Sequence, residues 1–370
     1  CTAQQGIQLS LPLQLETQPT SAGHRGAQQF EFDLPRNRLN PSAPLHGAGS
    51  TAPRASGIRL LSGYKENTGS KAMIIRAQEQ GRDREAPLSL PREVPPPTQP
   101  FPGWKDQPLQ WRQWSSSVPP RARLIMIHGI GGHSGQFHSF ALALGRYGYE
   151  VMAFDLPGHG ASPGPRGWIP AWEAFRQSLL RFIRLAATGP APLPLFLLGH
   201  SMGGTICLDL ALREPLPIQG LILTNPAVDA GGVQLWRRWL ARSLAGVWPS
   251  FAVSTGIPLE VASHDPDVLA DYGSDPLRHN RCTVSLGNAF METAAWIRHS
   301  SPALRIPLLL LQSGADRVTT VGSGRRFFES IGSPDKTWKL YPRSYHELFA
   351  DLDREQVVED LVAWVRKHGG

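Results

Sequence analysis

The sequence places one serine in a setting typical of a catalytic nucleophile. In the stretch LFLLGHSMGG, Gly199, Ser201 and Gly203 fit the pattern G-x-S-x-G. The pattern alone has little weight, because a chain with 37 glycines matches it readily by chance. Here an apolar run typical of a buried strand precedes the motif, and a helical segment with Ile206 and Leu210 one turn apart follows it. This order predicts a strained turn that exposes the Ser201 hydroxyl, the alternative being a glycine-rich helix start with a capping serine.

A serine hydroxyl is a weak nucleophile until a base removes its proton, and the base needs an acid that orients it. On scaffolds with this turn, the residues follow in the order Ser, acid, His, with the acid and the His after late strands. Asp316 follows the apolar run PLLLLQ, and His346 follows the run TWKLYP. We therefore predict a catalytic triad of Ser201, Asp316 and His346, with Asp335 and Asp351 as less well placed acids.

The same chemistry needs backbone N–H groups aimed at the oxygen on which negative charge develops. The glycine-rich stretch HGIGG directly follows the predicted strand RLIMI. We predict that the N–H groups of Ile130 in this turn and of Met202, the residue after the nucleophile, form an oxyanion hole. A phosphate-binding turn is the alternative, but the stretch lacks both the G-x-G-x-x-G spacing and the lysine of a P-loop.

These residues need a scaffold that brings strand ends together, and the hydrophobic pattern predicts one. From residue 101 onward, short apolar runs alternate with amphipathic segments, which indicates an α/β fold with a mostly parallel central sheet and helices on both faces. With the G-x-S-x-G turn included, this is the α/β-hydrolase fold. The predicted core strands cover residues 123–129, 149–155, 194–199, 218–226, 307–312 and 337–342. The predicted helices include 137–147, 172–182 and one that begins at Asp353, and 109–114 is expected to be an antiparallel edge strand.

Composition divides the chain into four segments. Residues 1–100 mix Gln, Pro, Ser, Gly and Arg without strand or helix periodicity, and predict a disordered or extended, Pro-rich leader. Residues 101–227 and 301–370 are expected to form the two parts of the hydrolase core. Between them, residues 228–300 show helices and loops without a strand of their own. An insertion at this point predicts a helical cap over the C-terminal ends of the strands, where ligands bind in open α/β sheets.

Composition and charge exclude several other classes of protein. Hydrophobic residues make up 41% and charged residues 18% of the 370 residues, as in ordinary globular proteins. The net charge is +7, but no basic run is dense enough to track phosphates, so no nucleic-acid partner is expected. No apolar run reaches the roughly 18 residues that span a bilayer, so we expect a cytoplasmic or peripheral membrane protein.

The three cysteines do not indicate a redox compartment. Cys1, Cys207 and Cys282 are spaced neither as a zinc site nor as a disulfide framework. For the first residue, Cys1, a fragment or a truncated reading frame is the expected explanation, and a lipidated cysteine is the alternative.

Six sequence blocks together resemble those of monoacylglycerol lipases and their lysophospholipase relatives within the α/β-hydrolases. From Trp104 to the C-terminus they are HGIGGHSGQF, FDLPGHGASPG, GHSMGG, DYGSDPLRHN, LLLQSGADRV and YHELFAD. The resemblance implies a serine carboxylic-ester hydrolase that acts on monoacylglycerol or lysophospholipid-like acyl esters through an acyl-enzyme, with no metal and no organic cofactor. It also implies the triad and the oxyanion donors named above, and makes the cap over residues 228–300 the tunnel for the acyl chain.

At the polar end of the expected pocket the chain departs from this family. Well-studied animal members have a Glu and then an Arg where this chain has Gly132 and Gln136. Tyr272 and Asp275 match the cap block, and the resemblance makes them candidate substrate-binding residues, with a purely structural role as the alternative. Three histidines at other motif positions are interpreted as loop and packing residues: His133, His159 and His200.

Other functions stay open on the same scaffold. A different small-ester carboxylesterase, a perhydrolase or a proline iminopeptidase would use the same machinery, whereas a non-catalytic lipid-binding protein would not need it. The serine at the nucleophile position excludes dehalogenases and epoxide hydrolases, whose nucleophile is an aspartate.

One segment of the expected cap is a candidate membrane contact. In residues 233–248, VQLWRRWLARSLAGVW, apolar residues recur at helical spacing, and Arg238 and Arg242 lie on another face. Packing of the apolar stripe inside the cap is one interpretation of this basic amphipathic helix. Contact with a lipid surface, with tryptophans at the headgroup level, is the functional hypothesis.

Overall fold

The computed structural model describes residues 94–188, 192–229 and 248–369. Its centre is an eight-stranded sheet with the order β1-β2-β4-β3-β5-β6-β9-β10. The first strand pairs antiparallel with the second, the second pairs antiparallel with β4, and all other neighbours are parallel. This confirms the predicted fold class. The strands are β1 (Gln99–Pro102), β2 (Pro108–Trp114), β3 (Ala122–Ile127), β4 (Tyr149–Phe154), β5 (Leu195–His200), β6 (Gly220–Thr224), β9 (Leu308–Ser313) and β10 (Lys336–Tyr341).

Helices cover both faces of the sheet, and those that pack on it bury apolar side chains against it. On one face, Phe175, Phe182 and Ile206 belong to a fully buried cluster. On the other face, Phe140 and Leu361 belong to a second cluster. Removing one such large side chain from water contributes about 1.5–3 kcal/mol, so these clusters fix the helices on the sheet. The helices are α1 (His138–Gly145), α2 (Glu173–Ala187), α3 (Met202–Arg213), α4 (Pro266–Ser274), α5 (Val284–Ser300), α6 (Val321–Ser330) and α7 (Arg354–Gly369).

The edge of the sheet differs from the prediction. The strand predicted at 109–114 is present and antiparallel, but it is not the edge strand, because β1 pairs along its outer side. Phe101 of β1 is buried, and its ring centroid lies 4.9 Å from that of Phe182. Upstream, the guanidinium of Arg112 donates to the carbonyl of Pro96. Residues just before the predicted boundary at residue 101 therefore contact the core.

The cap contains a small sheet, so the prediction that residues 228–300 hold no strand is wrong. Strands β7 (Ala252–Ser254) and β8 (Arg281–Thr283) pair antiparallel. Each has three residues, too few to show an alternating pattern in the sequence. Of the predicted amphipathic helix 233–248, only Trp248 lies within the described residues. Across the part of the chain that the structure describes, no helix is long and apolar enough to cross a membrane.

Candidate active site

Ser201 occupies the sharp turn between β5 and α3. Its backbone has φ 52° and ψ −120°, a left-handed conformation that costs a non-glycine residue about 1–3 kcal/mol. A Cβ on Gly203 would lie 2.2 Å from the carbonyl oxygen of Ile127, and a Cβ on Gly199 would lie 2.6 Å from the Cα of Gly204. The two flanking glycines are therefore required by close backbone approach.

Hydrogen bonds from β6 and the loop after it hold this strained turn in place. The N–H of Ser201 donates to the carbonyl of Thr224 at 3.1 Å, and the carbonyl of Ser201 accepts from the N–H of Ala227 at 3.1 Å. The serine backbone is thus fixed by a neighbouring strand end, as a preorganised nucleophile requires.

Asp316 and His346 meet at the C-terminal ends of β9 and β10. Nδ1 of His346 lies 2.8 Å from Oδ2 of Asp316. The other carboxylate oxygen accepts the backbone N–H groups of Val318 at 2.7 Å and Thr319 at 2.9 Å. Burial raises the pKa of Asp316, but the His346 ring and the Thr319 donors outweigh it and hold the pKa below its ordinary value. The ionised carboxylate therefore accepts from Nδ1–H, which leaves Nε2 of His346 as the basic nitrogen.

The contact with Asp316 also raises the pKa of the His346 imidazole. Burial lowers the pKa of His346, but the Asp316 charge and hydrogen bond, with a further contribution from Glu347, raise it above 6.5 overall. Asn225 fixes the loop, because its side-chain amide donates to the His346 carbonyl at 2.7 Å and to the Ser313 hydroxyl at 2.8 Å.

The two fallback acids lie elsewhere. Asp335 precedes β10 at the opposite end of that strand and binds His368 and Lys367. Asp351 accepts the N–H of Tyr345 and pairs with His264. Among the described residues, neither carboxylate forms a hydrogen bond or ion pair with the His346 ring. Asp316 is therefore the acid that the structure brings to this histidine.

The predicted oxyanion turn lies against Ser201. A Cβ on Gly129 would lie 3.0 Å from the Cβ of Ser201, which shows how closely the turn approaches. Ile130 in this turn packs on the core, and Met202 is the first residue of α3, where backbone N–H groups have no partner inside the helix. His128 fixes the turn, since its Nε2 accepts from the Leu156 N–H at 3.0 Å.

His128 belongs to a group of histidine rings beneath the cap. The His159 ring lies 5.4 Å from His128 and 4.7 Å from His279 of the cap, centroid to centroid. Burial lowers the pKa of His128 and of His279 to about 4, and lowers the pKa of His159 well below its ordinary value. These rings are therefore neutral at neutral pH, which agrees with the packing interpretation of His159.

His133 is more than a loop residue, because it joins the core to the cap. Its Nε2 lies 2.6 Å from Oδ2 of Asp275, and the other oxygen of Asp275 accepts from the Leu277 N–H at 2.8 Å. A second contact joins the cap to the predicted oxyanion turn: the N–H of His279 donates to the carbonyl of Gly131 at 3.1 Å. Burial raises the pKa of Asp275, but His133 outweighs it and the pKa is lowered overall. Asp275 thus lies in the cap anchor.

The two departures from the family pattern are coupled to each other. Oε1 of Gln136 accepts from the N–H of His133 at 3.0 Å, and a Cβ on residue 132 would lie 2.3 Å from that oxygen. Gly132 therefore leaves the space that Gln136 occupies. The same hydrogen bond fixes the orientation of the Gln136 side-chain amide, so its Nε2 donor points away from the loop.

Three side chains at this position carry a buried donor atom that forms no well-aligned hydrogen bond among the described residues, and Gln136 lies close enough to Tyr272 to lower its pKa. The donor atoms are Nε2 of Gln136, the hydroxyl of Tyr272 and Nη1 of Arg278. The Arg278 guanidinium lies 4.0 Å from the centroid of the Tyr272 ring. Burial outweighs the effect of Gln136 and raises the pKa of Tyr272, with Glu347 adding to the rise, so its hydroxyl stays a donor. We call Gln136, Tyr272 and Arg278 the donor cluster.

Sequence analysis did not select Glu347, which follows His346 directly. Its Oε2 lies 3.3 Å from Nε2 of His200, whose Nδ1 lies 3.1 Å from the hydroxyl of Thr224. His200 therefore pairs with a carboxylate as well as packing in the core. The signal that could have identified Glu347 was its position directly beside a predicted catalytic histidine.

No group of three His, Cys, Asp or Glu side chains that could hold a metal ion occurs within the described ranges.

Comparison with known proteins places this geometry in a family. Hydrolase_4, described as "Serine aminopeptidase, S33", matches residues 118–353. A monoacylglycerol lipase of Mycolicibacterium smegmatis is 31% identical over 264 residues, which cover 69% of this chain and 91% of that protein. An uncharacterized abhydrolase domain-containing protein of Dictyostelium discoideum is 32% identical over 266 residues, 70% of this chain but only 28% of that protein.

A solved structure agrees with the sequence relatives. The crystal structure of Paleococcus ferrophilus monoacylglycerol lipase superposes with a TM-score of 0.64 at 30% identity, over 70% of this chain and 99% of that one. The family match covers the nucleophile turn, both late strand ends and the cap. The chain therefore belongs to the Hydrolase_4 family of α/β-hydrolases and is a serine hydrolase similar to monoacylglycerol lipases.

Proposed function

We propose that this protein hydrolyses monoacylglycerol or lysophospholipid-like acyl esters, with Ser201 as nucleophile, His346 as general base and Asp316 as its orienting acid. The observation that carries the proposal is the 2.8 Å contact between His346 Nδ1 and Asp316 Oδ2, at the same end of the sheet as the strained Ser201 turn. Such an arrangement is recognised by its geometry and its roles.

The reaction has two acyl-transfer steps. Ser201 Oγ attacks the ester carbonyl while Nε2 of His346 takes its proton, and the oxyanion accepts from the N–H groups of Ile130 and Met202. Collapse of this intermediate breaks the bond to the alcohol, which leaves with the proton from His346. Water then adds to the acyl-enzyme by the same route, releasing the fatty acid and restoring the serine hydroxyl. Asp316 keeps the imidazole in one tautomer and stabilises the imidazolium.

Two relatives support a lipid ester as substrate, since the proteins of Mycolicibacterium smegmatis and Paleococcus ferrophilus are monoacylglycerol lipases. The donor cluster of Gln136, Tyr272 and Arg278 supports a polar alcohol at one end of the site, because buried donors without well-aligned hydrogen bonds favour an oxygen-rich group. In this proposal Asp275 holds the cap in place beside the alcohol part of the substrate, and Tyr272 is the cap residue that contacts the substrate.

A lipid surface is the proposed source of substrate. Next to the segment 233–248, the described part of the cap exposes apolar side chains between residues 248 and 259: Trp248, Phe251, Val253, Ile257 and Leu259. The rings of the first two lie 5.3 Å apart. An exposed apolar patch beside a basic amphipathic segment is typical of peripheral membrane contact.

Other ester or acyl substrates are the main rivals, and one experiment separates them. The purified protein would be assayed on p-nitrophenyl esters of increasing chain length, then on monoacylglycerols, lysophospholipids, peracid formation and an aminoacyl anilide. The proposal expects hydrolysis of long-chain monoesters to exceed that of short esters and anilide in kcat/KM. A preference for the anilide would favour an aminopeptidase, in line with the family description, and no turnover of any substrate would favour a lipid-binding protein.

A further inference from the structure

A second imidazole and carboxylate lie directly beside the His346–Asp316 pair. Glu347 follows His346 in the chain, and its Oε2 lies 3.3 Å from Nε2 of His200. The centroid of the His200 ring is 4.8 Å from that of the His346 ring. Because His200 is the last residue of β5, this second pair lies between the nucleophile turn and the histidine loop.

The surroundings make the charge of Glu347 effective over short distances. The side chains of His200 and Glu347 are 3% and 11% exposed, so little water separates them from their neighbours. Electrostatic interactions are several times stronger in such a setting than in bulk water. The backbone is also fixed, since the N–H of Glu347 donates to the carbonyl of Ala262 at 2.8 Å.

The groups that face Glu347 come from three parts of the fold. His200 lies on β5, Tyr272 and Arg278 lie in the cap, and His346 lies on the same loop. Burial raises the pKa of Glu347, but His200, Arg278 and His346 outweigh it and lower the pKa to about 2. The carboxylate is therefore ionised throughout the pH range in which a histidine titrates.

We propose that Glu347 is a positioning residue for the base: its buried carboxylate, held by His200, lies beside His346 as a second negative charge after Asp316 and stabilises the imidazolium formed when Ser201 gives up its proton. This inference rests on the proposed function, because it assigns Glu347 a role through the base of that reaction. Asp316 alone orients the ring, since it alone binds Nδ1.

The charge of Glu347 has two consequences with defined signs. In the free enzyme the Glu347 charge favours the protonated form of His346. Because catalysis needs the neutral ring, the pH at which kcat/KM rises is moved upward. In the transition state it stabilises the imidazolium, which raises the plateau rate. The cation of Arg278 beside Glu347 opposes both effects.

The test is the pH profile of kcat/KM on a soluble short-chain p-nitrophenyl ester, which has no polar headgroup for the donor cluster. Glu347→Gln should move the midpoint of the acidic limb to lower pH. It should also lower the plateau by roughly tenfold, a part of the about 10²–10⁴-fold that general base catalysis contributes. Arg278→Met should move the midpoint in the opposite direction, to higher pH. Glu347→Asp, which keeps a carboxylate, should restore the midpoint toward that of the wild type.

The matched control is Glu150→Gln, which removes a carboxylate paired with Arg123 at 2.7 Å at the start of β4. It should leave the midpoint where the wild type has it. If Glu347→Gln does not fold, the Arg278→Met shift in the pH profile and an NMR titration of His346 in Ser201→Ala, with and without Arg278→Met, still measure the coupling. Coincident acidic limbs for wild type, Glu347→Gln and Arg278→Met would overturn the inference. A wild-type protein that hydrolyses no ester would instead contradict the proposed function.

Discussion

His133 Nε2 lies 2.6 Å from Asp275 Oδ2, and this contact joins the loop behind the oxyanion turn to the cap. The residues are 142 positions apart in the chain, so the contact forms only when the cap is seated. The position of the cap and the position of the oxyanion donors are therefore coupled through one pair of side chains.

Breaking that pair should loosen the cap without removing any reacting group. We expect Asp275→Asn to reduce kcat/KM on a long-chain monoester several-fold and stability by about 1.5–3 kcal/mol, the range for a hydrogen bond to a charged group. A double-mutant cycle with His133→Gln, measured by urea unfolding and by kcat/KM, should give non-additive losses. Strictly additive effects would show that the two side chains act independently. Because the pKa of Asp275 is lowered by folding, its contribution to stability is present at neutral pH and lost as the pH falls through the folded-state pKa.

The nucleophile turn predicts a contrast between two glycines. Gly203→Ala should abolish most activity and destabilise the fold, because its Cβ would lie 2.2 Å from a backbone oxygen of β3. Gly287→Ala in α5 is the matched control, since its Cβ would meet only the Cys282 sulfur at an ordinary 3.6 Å. That change should be neutral or stabilising by up to about 1 kcal/mol. Thermal unfolding and ester turnover of both variants provide the measurement; equal behaviour of the two would contradict the close-approach argument.

Strand β1 is expected to set how far the chain can be shortened from its N-terminal side. A chain that begins at Val94 keeps β1 and should unfold at the same temperature as the 370-residue chain and hydrolyse esters equally well. A chain that begins at Gly103 loses the buried Phe101 side chain and the pairing with β2. It should be less stable by roughly 3–5 kcal/mol, as for loss of a buried phenylalanine. Unchanged stability of the shorter chain would show that β1 is dispensable.

Membrane contact through the cap predicts a loss that depends on the substrate. Trp248→Ser with Phe251→Ser, and separately Arg238→Glu with Arg242→Glu, should weaken sedimentation with anionic vesicles and slow hydrolysis of a vesicle-borne long-chain ester. Added salt should mimic only the arginine changes. Turnover of a short soluble ester should not change, and Val118→Ser, at an exposed apolar residue before β3, should change nothing. Equal losses on both substrates would indicate a damaged cap instead.

The sequence predicts the central sheet well because most parallel core strands are buried on both faces and therefore appear as continuous apolar runs, as in Leu308–Ser313. It also predicts that Asp316 and His346 lie in loops after neighbouring strands, and the structure brings their side chains within 2.8 Å. Their catalytic roles stay predictions.

What the sequence does not predict depends on contacts between distant segments. The three-residue strands β7 and β8 carry no periodicity of their own. The pairs His200–Glu347 and His133–Asp275 form only after folding, so neither residue type nor local spacing distinguishes these histidines from packing residues. The predicted boundary between leader and core, after residue 100, divides the outer strand β1, whose sequence QPFP is half proline, a residue that disfavours strands except at sheet edges.

The central claim is that Ser201 is the nucleophile of an acyl-transfer reaction. The most direct measurement is intact-mass and peptide mass spectrometry after reaction with a fluorophosphonate, together with turnover of Ser201→Ala on a p-nitrophenyl ester. We predict a single adduct on Ser201 in the wild type, no adduct in Ser201→Ala, and a fall in kcat of about 10⁴–10⁶-fold. An adduct on another residue, or a Ser201→Ala variant that keeps a tenth of the wild-type turnover, would contradict the claim.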